Sequence, residues 1–118
     1  MPRFVDLLHD WPAPHWDFLV EAGDELRAWR LLSEPGAERD TPAEPNAPHR
    51  PFYLDYEGPV SGGRGSVSRW DAGECDWLSD DPDRTELALR GAKLHGHAVL
   101  RRDGAGWVFR VTGPAAAG

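Results

Sequence analysis

Several stretches of the chain alternate apolar and polar residues with a period of two, the spacing of half-buried strands rather than helices. The clearest runs from His15 to Glu21: Trp16, Phe18 and Val20 share one face, and His15, Asp17, Leu19 and Glu21 share the other. Gly23-Asp24 then reads as a tight turn, because glycine tolerates the positive φ that hairpin turns require, and a second strand over Glu25 to Leu32 should pair back on the first. From 33 to 51 the chain carries Pro35, Pro42, Pro45, Pro48 and Pro51, each lacking the backbone donor that a ladder needs, so a long loop is expected there. Strand character returns at Phe52 to Tyr56. It returns again at Ser66 to Trp70, after the glycine-rich Ser61 to Gly65, and at Glu74 to Leu78, with Trp70-Asp71-Ala72-Gly73 as the turn between these last two. Asp80-Asp81-Pro82-Asp83 is a further break. Thr85 to Arg90, Lys93 to Arg102 and Trp107 to Thr112 follow, the last two joined as a hairpin through Asp103-Gly104-Ala105-Gly106.

Many short strands with regular turn signals predict an all-β fold, a small closed or partly open β-barrel with few short helical turns. One such turn is allowed around Pro2 to Leu8. Residues 1 to 112 are expected to form a single domain, and 113 to 118 a flexible tail.

Composition narrows the class. A chain of 118 residues has room for one core, and 40 % hydrophobic with 28 % charged residues is ordinary for a globular domain. The single cysteine, Cys75, excludes an intramolecular disulfide framework, so a reducing cytoplasm is the default location. Asp6 and Asp10 interrupt the first ten residues where a secretory leader needs an apolar run, and no stretch nears the roughly 20 apolar residues of a membrane span. A cytoplasmic monomer without membrane contact is expected. The formal net charge of −7 opposes nonspecific attraction to nucleic-acid phosphates. The exception is local: residues 84 to 110 hold six basic side chains (Arg84, Arg90, Lys93, Arg101, Arg102, Arg110) against two acidic ones.

His15 and Asp17 lie two apart on a strand, so both side chains leave one face and can converge on one ion. His9 is six residues upstream, and a bend at Pro12 and Pro14 can return its imidazole to them. Two imidazoles and a carboxylate leave coordination positions open for water or a substrate oxygen. The same residues also read as polar side chains on an edge strand. His49 and Tyr53 form a second candidate pair, since an imidazole can protonate an oxygen leaving phosphorus and a phenol can hydrogen-bond a phosphate oxygen. A loop histidine beside a core tyrosine would give the same pattern. His95 and His97 have no carboxylate nearby in sequence and are left as surface or packing residues. Cys75, between Glu74 and Asp76, is a poor nucleophile. The six tryptophans read as core, with Trp11 in the most exposed setting.

Taken in order, these motifs resemble the 3′-phosphoesterase domain of bacterial DNA ligase D. That family's leading motif, a histidine, five residues, then His-x-Asp-x-Arg-x-Glu, is similar to His9 followed by His15-Trp16-Asp17-Phe18-Leu19-Val20-Glu21. Its second, a histidine four before a tyrosine and then Asp-aromatic-Glu-Gly, is similar to His49, Tyr53 and Asp55-Tyr56-Glu57-Gly58. Trp70-Asp71-Ala72-Gly73 and Leu89-Arg90-Gly91-Ala92-Lys93-Leu94-His95-Gly96 resemble its Trp-Asp-x-Gly and Leu-x-Gly-x-Lys-Leu-x-Gly stretches. The resemblance implies a small barrel that trims 3′ ends of nucleic acid in DNA repair, removing a terminal ribonucleoside and then a 3′-phosphate. It implies manganese, or zinc or cobalt, on His9, His15 and Asp17, with His49 and Tyr53 acting on the phosphate.

The departures concern charge. The family arginine two after the metal aspartate is Leu19 here, lining the site beside Glu21. The lysine and arginine expected before His49 find no match in Leu31, Leu32 or the acidic, proline-rich loop. Arg39, Arg50 or Arg64 could supply the missing cation from loops. Two readings stay open: a metal-dependent phosphoesterase acting on nucleic-acid 3′ ends or a smaller phosphate ester, with activity lowered by Leu19, or a degenerate module that binds metal, nucleic acid or a partner without chemistry.

Overall fold

The computed structural model describes residues 1–113; apart from Gly113, the tail expected at 113 to 118 lies outside the described residues. Nine strands and one 3-10 turn follow in order: β1 (Arg3–His9), β2 (His15–Ala22), β3 (Glu25–Leu31), β4 (Thr41–His49), the 3-10 turn (Pro51–Leu54), β5 (Gly58–Pro59), β6 (Ser66–Asp81), β7 (Arg84–Gly91), β8 (His95–Asp103) and β9 (Gly106–Thr112). Eight of them close an antiparallel barrel in the order β1-β2-β3-β4-β9-β8-β7-β6, with β6 returning to β1, while the two-residue β5 is attached to β6. Closure pairs strand edges that would otherwise invite association. Among the described residues, no helix is long and apolar enough to cross a membrane.

Four local expectations are corrected. The helical turn at Pro2 to Leu8 is strand β1, with Phe4, Val5, Asp6 and Leu7 all buried. A strand covered on both faces loses the alternation that would have revealed it. The proline-rich stretch is not all loop: residues 41 to 49 form β4, which pairs along β3 but meets β9 only from Thr41 to Ala43. Much of its outer edge is therefore open, and an edge tolerates prolines that a central strand would not. The strand expected at Phe52 to Tyr56 is instead a 3-10 turn opened by Pro51, whose fixed φ suits a first helical position. Finally, Trp70 to Gly73 is no turn but the middle of the sixteen-residue β6, which pairs first with β1 and then with β7. Asp71 is buried there, and its carboxylate accepts from the backbone N–H groups of Ala92, Lys93 and Leu94 at 2.7–3.1 Å. Gly73 is required by close approach, since a Cβ at that position would lie 2.2 Å from the carbonyl oxygen of Arg90.

Two apolar layers result. Inside the barrel Phe18 is central, its ring centroid 5.7 Å from Phe4, 6.1 Å from Trp29 and 5.1 Å from Phe109. The second layer lies on the outer face of β1 to β3, where Val5, Leu7, Leu19, Leu26 and Ala28 are roofed by Leu54, Tyr53, Tyr56 and Val60 of the segment after β4. The odd-numbered face of β2, which carries His15, Asp17 and Leu19, is thus turned away from the barrel interior but not toward open solvent. The candidate site is under that roof.

Candidate metal centre

His9 closes β1 and His15 opens β2 directly across the ladder from it. The two imidazoles lie 4.7 Å apart, centroid to centroid, with Asp17 between their inner nitrogens. Donor atoms from the three residues all fall within 4.8 Å of one another.

Each ring is held by its other nitrogen. His15 Nδ1 is 2.9 Å from the Ala13 carbonyl oxygen, and His9 Nε2 is 2.8 Å from that of Arg64. A carbonyl only accepts, so those two nitrogens carry protons. The other two nitrogens, His15 Nε2 and His9 Nδ1, face Asp17 at 3.1 Å (Oδ1) and 3.2 Å (Oδ2). Neutral rings in that tautomer would turn two lone pairs on the carboxylate, an arrangement that a cation among them makes favourable. His15 Nε2 is in addition buried and lacks any hydrogen bond of acceptable geometry. Ligands about 2.1 Å from one ion lie about 3.0–3.4 Å apart at octahedral to tetrahedral angles, and the observed N–O separations fall in that interval. The donor set therefore fits a divalent metal with open positions, and the backbone carbonyls would be the outer partners that fix the ligating tautomers.

Local sequence explains the convergence. Gly65, at φ 73°, occupies a left-handed conformation that presents the preceding Arg64 carbonyl to His9. Asp10 Oδ1 accepts from the Ser66 backbone N–H at 2.8 Å, tying the β1–β2 connection to the same corner. On the inner face of β1, Asp6 is fully buried without a partner for either oxygen, and burial, reinforced by the charges of Asp17 and Asp71, raises its pKa well above the ordinary carboxylate range.

A cleft of about 280 Å³ opens beside the triad. Leu7, Leu19, Val60 and Val67 form its apolar wall, and Trp11, 43 % exposed, stands at its rim with Pro12. His49 and Tyr53 line it as well, their rings edge to face at 5.7 Å. His49 Nδ1 is committed to the Ala47 carbonyl at 3.0 Å, so Nε2 is the nitrogen left for exchange with a ligand.

The structure thus gathers His9, His15, Asp17, Leu19, His49, Tyr53 and Arg64 around one volume. It does not bring the others there. Arg39 donates to the Glu34 carbonyl, and Glu21, at the far end of β2, accepts from the Arg3 backbone N–H. Arg50 lies over the rings of Phe52 and Tyr53 at 5.5 and 5.9 Å and is not part of the cleft wall. Two polar lining residues escaped the sequence reading, Asn46 and Arg30. Arg30 precedes by one residue the positions where a cation was sought. The signal existed: a hairpin turning at Gly23-Asp24 pairs Ala22 with Glu25, and the same register places Arg30 opposite Asp17.

The basic stretch at 84 to 110 is less basic than its composition. Arg84 pairs with Glu86, Arg90 with Asp76, Arg102 with Asp83 and Arg110 with Asp40, at 2.7–3.1 Å. His97 contacts Glu86 at 2.7 Å on the surface. Burial, more than the acidic neighbours, pushes the Cys75 thiol up to about 11, which keeps it protonated.

A family model described as DNA Ligase D 3′-phosphoesterase domain matches residues 8–102, a span that includes the triad, His49 and Tyr53. No curated protein matches the chain.

Proposed function

Because the chain belongs to the DNA ligase D 3′-phosphoesterase domain family, we propose that it is a divalent-metal-dependent phosphoesterase that removes a 3′-phosphate or 3′-ribonucleotide from nucleic-acid ends in DNA repair. The observation that carries this reading is the buried, hydrogen-bond-orphaned His15 Nε2, aimed at Asp17 beside His9 in the wall of the cleft.

His9 Nδ1, His15 Nε2 and Asp17 would hold the ion, manganese in the first instance and zinc or cobalt as alternatives. When bound, such an ion polarises a phosphoryl oxygen and lowers the pKa of water. The protein does the rest. His49 Nε2 exchanges a proton with the oxygen leaving phosphorus, and the Tyr53 hydroxyl donates to a non-bridging oxygen. The apolar wall of Leu7, Leu19 and Val67 limits water, which strengthens each polar contact inside. In this reading the cleft takes a strand end rather than an internal linkage. A smaller phosphate ester would fit the same volume. The protein works as a monomer in the cytoplasm, where a buried Cys75 stays a thiol.

One observation favours a second reading, a metal-binding module without turnover: the position of the family arginine is taken by Leu19, packed in the outer apolar layer. The deciding assay loads the protein with manganese and offers primers ending in a 3′-phosphate or a single 3′-ribonucleotide. Turnover lost in His15→Ala and His49→Ala supports the phosphoesterase. Stoichiometric metal without product from either primer favours the module.

A further inference from the structure

Of the two guanidiniums that line the cleft, that of Arg30 has no hydrogen-bond or ion-pair partner among the described residues. It is paired with Asp17 across β2 and β3, so its side chain leaves the same outward face as the triad and Leu19. Its Nε is buried and, among the described residues, has no hydrogen-bond acceptor. No ion pair among the described residues engages it, Asp17 included, whose oxygens are turned to the two imidazoles. Arg64 also lines the cleft, but its Nε and Nη2 donate to the Ser61 carbonyl and hydroxyl at 2.7 and 3.2 Å.

A buried charged N–H without an acceptor is costly, and a guanidinium cannot escape the cost by losing its proton. An anion entering the cleft would complete it. We propose that Arg30 binds a non-bridging oxygen of the substrate phosphate, so that the cation of this site comes from β3 rather than from β2. Leu19 faces Ala28, and Arg30 is the next residue of β3 on the same face. Diagonal neighbours across a ladder lie about 7–8 Å apart at the backbone, within reach of a long side chain. A guanidinium at 30 therefore serves the volume that one at 19 would have filled, while Leu19 is freed to seal the apolar layer. The ligand class is a phosphate monoester or terminal phosphodiester, held by a planar fork that suits two of its oxygens.

This inference rests on the phosphoesterase reading and assigns its phosphate-binding residue. The test compares the full chain with Arg30→Met, Arg30→Lys and Arg64→Met in three measurements: manganese stoichiometry, calorimetric affinity for inorganic phosphate with manganese present, and primer kinetics. Arg30→Met should keep one manganese and a parent-like melting curve while losing about tenfold to a hundredfold in phosphate affinity. Arg30→Lys should recover part of that loss, and Arg64→Met should change it little. Phosphate affinity untouched by Arg30→Met, or lost only in Arg64→Met, overturns the assignment, as does a parent that binds no phosphate. Phosphate binding that depends on Arg30 in a protein inert to every primer upholds Arg30 and removes the phosphoesterase reading alone.

Discussion

His15 Nε2 stands 3.1 Å from Asp17 Oδ1 while the opposite nitrogen of the same ring is committed to the Ala13 carbonyl. In the neutral tautomer with its proton on the far side, the imidazole would meet the carboxylate lone pair to lone pair. Both residues are nearly inaccessible, at 4 % and 6 % exposure, so water offers little relief. A metal ion between them would remove that repulsion, and the relief would appear as stability.

Manganese should therefore raise the melting temperature of the parent, since a ligand that binds only the folded chain stabilises it by about 2.7 kcal/mol at a hundredfold excess over Kd. His15→Ala should be folded but indifferent to metal or chelator. A thermal melt across a manganese titration reads this directly, and stoichiometric metal retained by His15→Ala would show that other atoms are the ligands.

How much of this was legible in the sequence depended on whether local signals were free of tertiary covering. The β2–β3 hairpin was readable because only one face of β2 alternates with polar residues and the turn at Gly23-Asp24 is unambiguous, and that strand also gave His15, Asp17 and Leu19 their common face. β1 was not, because the roof over Val5 and Leu7 and the core beneath Phe4 make the strand apolar on both sides. Asp71 looked like a turn residue and is the acceptor for a different turn, at 92 to 94. Such a role is set by a partner strand rather than by sequence neighbours. Arg30 lay within reach of the register but not of motif comparison, which points to residue 19 for the cation.

Asp6 makes stability depend on pH. Its folded-state pKa is raised above the unfolded value near 3.8, chiefly by burial and then by Asp17 and Asp71. The native chain thus binds a proton that the unfolded chain releases, and the associated stability is fully present below about 3.8 and lost as the pH rises toward the folded-state value. Asp6→Asn, which cannot ionise, should show a flatter profile than the metal-free parent and gain on it as the pH rises above the unfolded-state value. Urea unfolding at several pH values measures both, and parallel profiles would mean that Asp6 is not the group responsible.

The ion pairs of the 84 to 110 segment predict little role for it in holding DNA. Arg84, Arg90, Arg102 and Arg110 each face a carboxylate, so few cations remain to release counterions from a phosphate backbone. Reversing Arg101 and Arg102 to glutamate should change the affinity for a 3′-phosphorylated oligonucleotide by less than about threefold at physiological salt. A tenfold loss with a steep salt slope would restore this face as the nucleic-acid surface.

Leu19→Arg is expected to harm the protein rather than restore a lost contact. Residue 19 is fully buried, packed with Val5, Leu7, Leu26, Ala28 and Leu54 in the outer apolar layer. A guanidinium there would trade a well-packed apolar side chain for an uncompensated charge, a change that typically costs about 3–5 kcal/mol and should lower Tm by about 10 °C or more. It would also approach Arg30 on the same outward face, where two like charges repel unless an anion joins them. Turnover in Leu19→Arg should then fall or stay unchanged. Replacing Arg30 by alanine in the same chain should recover part of the stability, because removing the second cation relieves the repulsion. Melting curves of the parent, both single variants and the double variant form a cycle whose coupling isolates that term. A single Leu19→Arg variant as stable as the parent and several-fold faster on 3′-phosphate primers would show that β2, not β3, is where this site needs its charge.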